Sequence, residues 1–202
     1  KIIEKDGVKI GIIGGITNET PTIVLPKYVE PYEFTDLADE INSSAAEARS
    51  KGAEVIIALI HEGGVVGNDG AKSGPVFEIA KKLKGVDAIL GGHTHTIVNS
   101  ASDNGIPIFI ANSSGKGFQH IKMTVDENKK VSFAGEYVDI YTDKPNGYKA
   151  ANPIVDPQVT AIVDAANAEL GPMFNEVIGK ADDALTRTQL GNPFGESFLG
   201  NW

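Results

Sequence analysis

Three short runs dominated by Val and Ile, at residues 8–14, 54–60 and 86–90, constrain this 202-residue chain more than any other feature. Each is apolar without polar alternation and carries turn residues at one or both ends. Such a run suits a strand covered on both faces, as inside a parallel sheet. Between the first two runs, Leu37, Ile41, Ala45 and Ala48 recur at helical steps over residues 36–50, and Gly52 supplies the stop. Between the second and third, residues 75–84 carry Ile79, Ala80 and Leu83, with Gly85 just past the end. Strand, helix, strand, helix, strand predicts an α/β layered domain with a parallel core.

The pattern changes after Thr96. Residues 106–110, 118–125 and 131–141 read as successive strands with no helix between them, and residues 126–130 as the hairpin connection of the last two. Antiparallel strands are common at the edge of a mostly parallel sheet, so one domain can hold them all. Residues 142–152 are loop-like. A helix then starts at Asp156 as N-cap and Pro157 as first helical residue. It carries Val159, Ile162, Val163, Ala166 and Leu170 on one stripe, and Gly171-Pro172 is expected to end it. A short strand over 177–180 and a helix entry at Gly195-Glu196-Ser197 complete the expected elements.

Composition narrows the chemistry. The formal charge of −9 and the lack of a basic arm argue against binding a nucleic-acid polymer. No apolar run approaches the roughly 20 residues of a membrane helix. With no cysteine, thiolate metal sites and disulfides are excluded, so any metal is left to His, Asp, Glu or Asn. The opening Lys1-Ile2-Ile3 has neither an initiator Met nor a signal peptide, and the chain is expected not to begin where its gene does.

The chain has four histidines, and their placement is informative. His61 directly follows the second apolar run. His93 and His95 follow the third, in Gly91-Gly92-His93-Thr94-His95. In open α/β sheets the functional crevice lies outside the carboxyl ends of the strands. In an extended His-x-His the two rings point to opposite sides of the backbone, where they can serve two different ions. Paired ions in two-metal hydrolases lie about 3.5–4 Å apart. The glycines before the motif would let the backbone pass close to the ions. A lone His-x-His carries little weight, and a His after a buried strand is often a packed residue bonded to a carbonyl; the gathering of three at one edge is what favours metal. His120, inside a strand pattern, reads as structural. Glu62 reads either as a support for His61 or as an exposed acid. The glycine-rich stretches 63–67 and 113–117 match no phosphate-binding fingerprint and read as turns, with Asn112 or Ser113 as possible neighbours of a substrate phosphate. Phe194 and Trp202 are candidates for a further hydrophobic core.

Ala58-Leu59-Ile60-His61-Glu62-Gly63-Gly64, followed by Asp87-Ala88-Ile89-Leu90-Gly91-Gly92-His93-Thr94-His95, resembles the later half of a calcineurin-like metallophosphoesterase of the bacterial 5′-nucleotidase and 2′,3′-cyclic nucleotide phosphodiesterase group. Residues 9–17, 108–117, 178–181 and 195–201 carry further likeness, so the resemblance covers nearly the whole chain. It implies half of a β-sandwich flanked by helices over 1–141, a linker and connecting helix over 142–175, and the opening of a C-terminal α+β domain over 176–202. It also implies two divalent cations of Zn, Mn or Fe type, with His61 and His93 on one and His95 on the other.

The family's Asp-x-His, bridging Asp and Asn-His-Asp or Asn-His-Glu segments have no counterpart here. Two dications held by neutral histidines alone would repel each other uncompensated. The chain by itself is therefore expected to bind metal weakly and to lack phosphatase activity, with no catalytic residue of its own and no assignable substrate-binding residue. The implied function is hydrolysis of nucleotide phosphate esters outside the cytoplasm. A 2′,3′-cyclic nucleotide phosphodiesterase with 3′-nucleotidase activity and a non-catalytic α/β binding module stand as alternatives. A sheet face left open is expected to take up an N-terminal fragment or a second copy.

Overall fold

The computed structural model describes residues 1–141 and 155–180. It divides into two compact units, Lys1–Asn152 and Pro153–Trp202. The first unit runs β1 (Ile2–Lys5), β2 (Val8–Ile16), two single-turn helices α1 (Thr20–Ile23) and α2 (Pro26–Val29), and α3 (Leu37–Ser50). Next come β3 (Val55–His61), the small strands β4 (Val65–Val66) and β5 (Lys72–Ser73), and α4 (Pro75–Lys82). It closes with β6 (Ala88–Gly91), β7 (Ile97–Ala101), β8 (Pro107–Ala111), β9 (Gly117–Val125) and β10 (Val131–Asp139).

The three apolar runs become β2, β3 and β6. They lie side by side in a six-stranded sheet of order β1-β2-β3-β6-β8-β7, in which β2, β3, β6 and β8 are parallel. The edges β1 and β7 are antiparallel to their neighbours. Neither edge strand is foreseen by periodicity, because each is short and finds its place by pairing rather than by burial.

α3 begins at Leu37, one residue inside the expected range, because Asp36 caps it by accepting the Ala38 and Asp39 N–H groups at 2.9 and 3.1 Å. It ends at Ser50, and Gly52 then takes a positive φ of 90°. α4 stops at Lys82, two residues short of the expected end, because Leu83 turns extended and is buried instead. Ala38, Ile41 and Ala45 of α3 and Val76, Phe77 and Ala80 of α4 share one core with Ile13, Ile56, Ala58, Ile60 and Ile89 of the sheet. The next residues along β3 face the other way, where Leu59 is 53 % exposed. One face of the sheet is thus sealed by helices and the opposite face is partly open.

The strands expected after Thr96 do not all extend the main sheet. β9 and β10 form a separate ribbon closed at Asp126, whose carboxylate accepts the Asn128 and Lys130 N–H groups. Gln119 ties that ribbon to the sheet by donating to the Val98 and Ile110 carbonyls, both at 3.1 Å. Gly135 is obligatory there, since a Cβ would lie 2.3 Å from the Phe109 ring. His120 is exposed on this ribbon opposite Glu136, a strand residue apart from the other histidines.

In the second unit α5 (Pro157–Phe174) starts as its sequence predicts, with Asp156 accepting the Gln158 and Val159 N–H groups. It does not end at Gly171-Pro172 but continues to Phe174, with Pro172 inside. A proline this close to the last turn forfeits one hydrogen bond without forcing a break. Residues 176–180 form no strand. The expected helix entry at 195–197, with Phe194 and Trp202, falls outside the described residues.

Candidate functional site

The carboxyl ends of β2, β3, β6 and β8 lie along one rim, and the residues that follow them build the candidate site. In the register of β2 and β3, Ile16 stands beside His61, so residues 17–19 leave the sheet next to the first histidine. His61 ends β3 and is exposed. Glu62, which follows, is buried at 5 % exposure, and its Oε2 has no hydrogen-bond partner among the described residues. That settles the two readings of Glu62 against exposure.

The loop after β6 is fastened onto the loop after β3. The Gly92 N–H donates to the Glu62 carbonyl at 2.9 Å. The Thr94 and Thr96 hydroxyls donate to the Gly64 carbonyl at 3.2 and 2.6 Å, and the Gly64 N–H reaches Thr94 Oγ1. Glycine is needed on both sides of this joint. A Cβ on Gly63 would meet Thr94 Oγ1 at 2.3 Å, and one on Gly91 would meet the Glu62 carbonyl oxygen at 2.7 Å. The space these glycines leave is filled by the facing loop.

The His-x-His segment is not extended as expected. His93 and His95 both take positive φ, 68° and 56°, and the Thr94 N–H folds back to the Gly92 carbonyl at 2.8 Å. The threonine bonds to Gly64 bend the segment. Two non-glycine residues in the left-handed region cost of order 1–3 kcal/mol each, and such strain clusters at functional sites.

The bend brings two of the three histidines together. His93 Nδ1 lies 3.2 Å from His61 Nε2, with the ring centroids 5.0 Å apart and the planes at 69°. On its far side His93 Nε2 lies 3.1 Å from the Glu19 carboxylate. An ionised carboxylate only accepts, so His93 Nε2 carries the proton and donates to Glu19. In the tautomer with Nδ1 unprotonated, that nitrogen is the acceptor that faces His61 Nε2. His95 is exposed, and among the described residues its ring bonds to no side chain. Asn112, also at positive φ, is tied to the same rim by its N–H to the Thr96 carbonyl at 2.8 Å; its side chain bonds the Ser113 N–H. Glu19 is the residue that sequence reasoning missed, since nothing in its local pattern marks it; only the β2–β3 register brings it to the rim.

Among the described residues no group of three or more His, Asp or Glu side chains converges to hold a metal ion. The histidine pair nevertheless fits part of a cation's shell. Two nitrogens each about 2.0–2.1 Å from one ion, at angles between square and tetrahedral, sit roughly 2.9–3.4 Å apart. The observed separation falls inside that range.

No family model matches the chain. It is 32 % identical to a snake venom 5′-nucleotidase of Gloydius brevicauda across the whole of this chain and 34 % of the relative. It is 28 % identical to the cell wall protein Lmo0130 of Listeria monocytogenes over 91 % of this chain and 24 % of that protein. Its fold matches the crystal structure of the calcineurin-like phosphoesterase YfkN from Bacillus subtilis with a TM-score of 0.66 at 27 % identity, covering 87 % of this chain and 58 % of that one. The chain thus spans between about a quarter and a third of the length of these curated relatives. By sequence and by fold, over that part of their length, the chain is similar to 5′-nucleotidases and to a calcineurin-like phosphoesterase.

Proposed function

We propose that the protein containing this chain hydrolyses nucleotide phosphate esters, as a metal-dependent phosphoesterase of 5′-nucleotidase type working outside the cytoplasm. The observation that carries the reading is the 3.2 Å approach of His61 Nε2 to His93 Nδ1 at the carboxyl rim. In this reading those two nitrogens hold one divalent cation, and His95, exposed on the same loop, holds a second. A cation bound there supplies charge stabilisation to a phosphoryl group undergoing in-line displacement. The chain's own part is to hold the imidazoles in place through the bonds of Thr94, Thr96 and Gly92 to residues 62 and 64. The domain division proposed is a phosphoesterase portion over 1–141, a connecting portion over 142–175 and the start of a substrate-binding domain over 176–202.

The location is supported by relatives named as a cell wall protein and as venom enzymes. No helix among the described residues is long and apolar enough to cross a membrane. The open sheet face around Leu59 supports a covering segment or second copy, read out by size-exclusion chromatography with light scattering. Catalysis is assigned to the complete protein, and the isolated 202 residues are proposed to bind metal weakly and to be inactive. The test measures metal content and nucleotide hydrolysis of the complete gene product and of its His61→Ala, His93→Ala and His95→Ala variants. Loss of both properties in all three is the expected result. Full metal content in the variants would leave the non-catalytic binding module as the better reading.

A further inference from the structure

We propose that Glu19 is a positioning residue that sets the tautomer of His93, and through it the readiness of the histidine pair to take up a cation. The inference rests on the reading of His61 and His93 as ligands of one ion. Its own support is local geometry. Glu19 Oε2 lies 3.1 Å from His93 Nε2, while the other ring nitrogen, Nδ1, faces His61. A carboxylate that accepts the Nε2–H leaves Nδ1 with its lone pair directed at the place where a ligand is needed.

The carboxylate itself is exposed on a short loop, yet the loop is not free. The Glu19 N–H donates to Thr17 Oγ1 at 3.1 Å, and the Glu19 carbonyl accepts the Thr22 hydroxyl at 2.7 Å. Thr17 is 1 % exposed, and its carbonyl receives the hydroxyl of Thr20, also buried, at 2.6 Å. Both backbone groups of Glu19 are therefore held, on a ledge that the β2–β3 register sets beside His61.

The same geometry assigns different work to the two rings. With no cation present, the His61 Nε2–H donates to His93 Nδ1, so His61 must move its proton to its other nitrogen before both lone pairs face one ion. His93 is already in the required form. Glu19 removes that rearrangement from one ligand of the pair.

The test uses the full chain with ¹⁵N-labelled histidine. Long-range ¹H–¹⁵N correlation in the metal-free protein reads which ring nitrogen of His93 is protonated, and titration with Zn²⁺ on the same signals reads affinity. His93 is expected as the Nε2–H form, and Glu19→Ala is expected to mix the tautomers and weaken Zn²⁺ binding about 10–100-fold. Glu19→Gln, whose amide oxygen still accepts, is expected to restore both to near the original. Unchanged tautomer and affinity in Glu19→Ala would overturn the proposal, as would an equal loss in Glu19→Gln with the tautomer untouched, the mark of a role in loop folding alone. If His61→Ala and His93→Ala bind Zn²⁺ as the parent does, the underlying reading of the pair fails instead, whatever Glu19 does.

Discussion

β3 and β6 begin and end in polar loops, and the two ends are built by opposite rules. At the amino end Arg49 donates to the Glu54 carbonyl at 2.6 Å, to the Gly85 carbonyl at 3.1 Å and to Asp87 Oδ2 at 2.6 Å. The same carboxylate oxygen accepts the Ile56 N–H at 2.7 Å. Arg49 and Asp87 pair with each other there, and the positive φ values fall on glycines, Gly52 and Gly85. At the carboxyl end His61 and His95 are exposed, two histidines sit at positive φ, and Glu62 buries an oxygen with no partner among the described residues. A closed network returns its desolvation cost as stability. An open one spends stability to keep lone pairs available, which is the signature expected of a binding site.

The largest effect that separates the two ends is on metal. His93→Ala should reduce cation affinity by about a hundredfold, because it removes one of the two ring nitrogens proposed to hold the ion. It should leave the melting temperature nearly unchanged, because the ring gives the fold only its bonds to His61 and Glu19. Isothermal titration and thermal melts on one preparation give both numbers. A large fall in melting temperature would mean that the carboxyl end is structural too.

At the amino end the expectation reverses. Asp87→Ala removes the Arg49 pair and the acceptor of Ile56 N–H together, a loss of about 2 kcal/mol. Chemical denaturation should show it, and cation affinity of the folded variant should match the parent. Gly91→Ala lies between these cases. Its Cβ would sit 2.7 Å from a backbone oxygen that cannot swing aside, so the loops after β3 and β6 must part. Overpacking of this kind costs about 1–3 kcal/mol, and here it should lower stability and cation affinity together. A Gly91→Ala protein that keeps its affinity would show that the joint between the loops does not position the histidines.

The parallel core was legible in the sequence because burial on both faces leaves unbroken apolar runs, and β2, β3 and β6 are such runs. The cap of α5 was legible because an aspartate before Pro157 and a helical period has a direct local reason to be there. What escaped was decided by distant partners. β1 and β7 owe their existence to the strands they pair with. The bend at His93 and His95 depends on threonine bonds to Gly64, some 30 residues away in sequence, and no local rule for His-x-His contains it. The histidine placement at strand ends did point to the rim. That His61 and His93 go together and His95 stands apart was implied only by the family resemblance, and nothing in the sequence revealed that Glu19 stands behind His93.

The smallest effect concerns a charge that belongs to neither end. Asp36 caps α3 and reaches the Lys82 ammonium at 3.2 Å, linking the two helices. The Asp39 N–H, and after it Lys82, holds its carboxyl below the ordinary aspartate range. A depressed folded-state value means that the carboxylate stabilises the fold above the ordinary value near about 4, and that this contribution fades as pH falls through the lower folded value. Asp36→Asn keeps an oxygen for the cap and loses only the charge, so it isolates the electrostatic part. The variant should melt slightly below the parent at neutral pH, and the gap should close as the solution is acidified past the aspartate range. High salt should narrow it as well, since both side chains are largely exposed and their attraction is screened. A gap that persists unchanged in acid would mean that the oxygen's geometry, not its charge, is what α3 requires. Polar groups in this unit would then sort by hydrogen-bond closure alone, the property that already distinguishes the Arg49–Asp87 end from the histidine end.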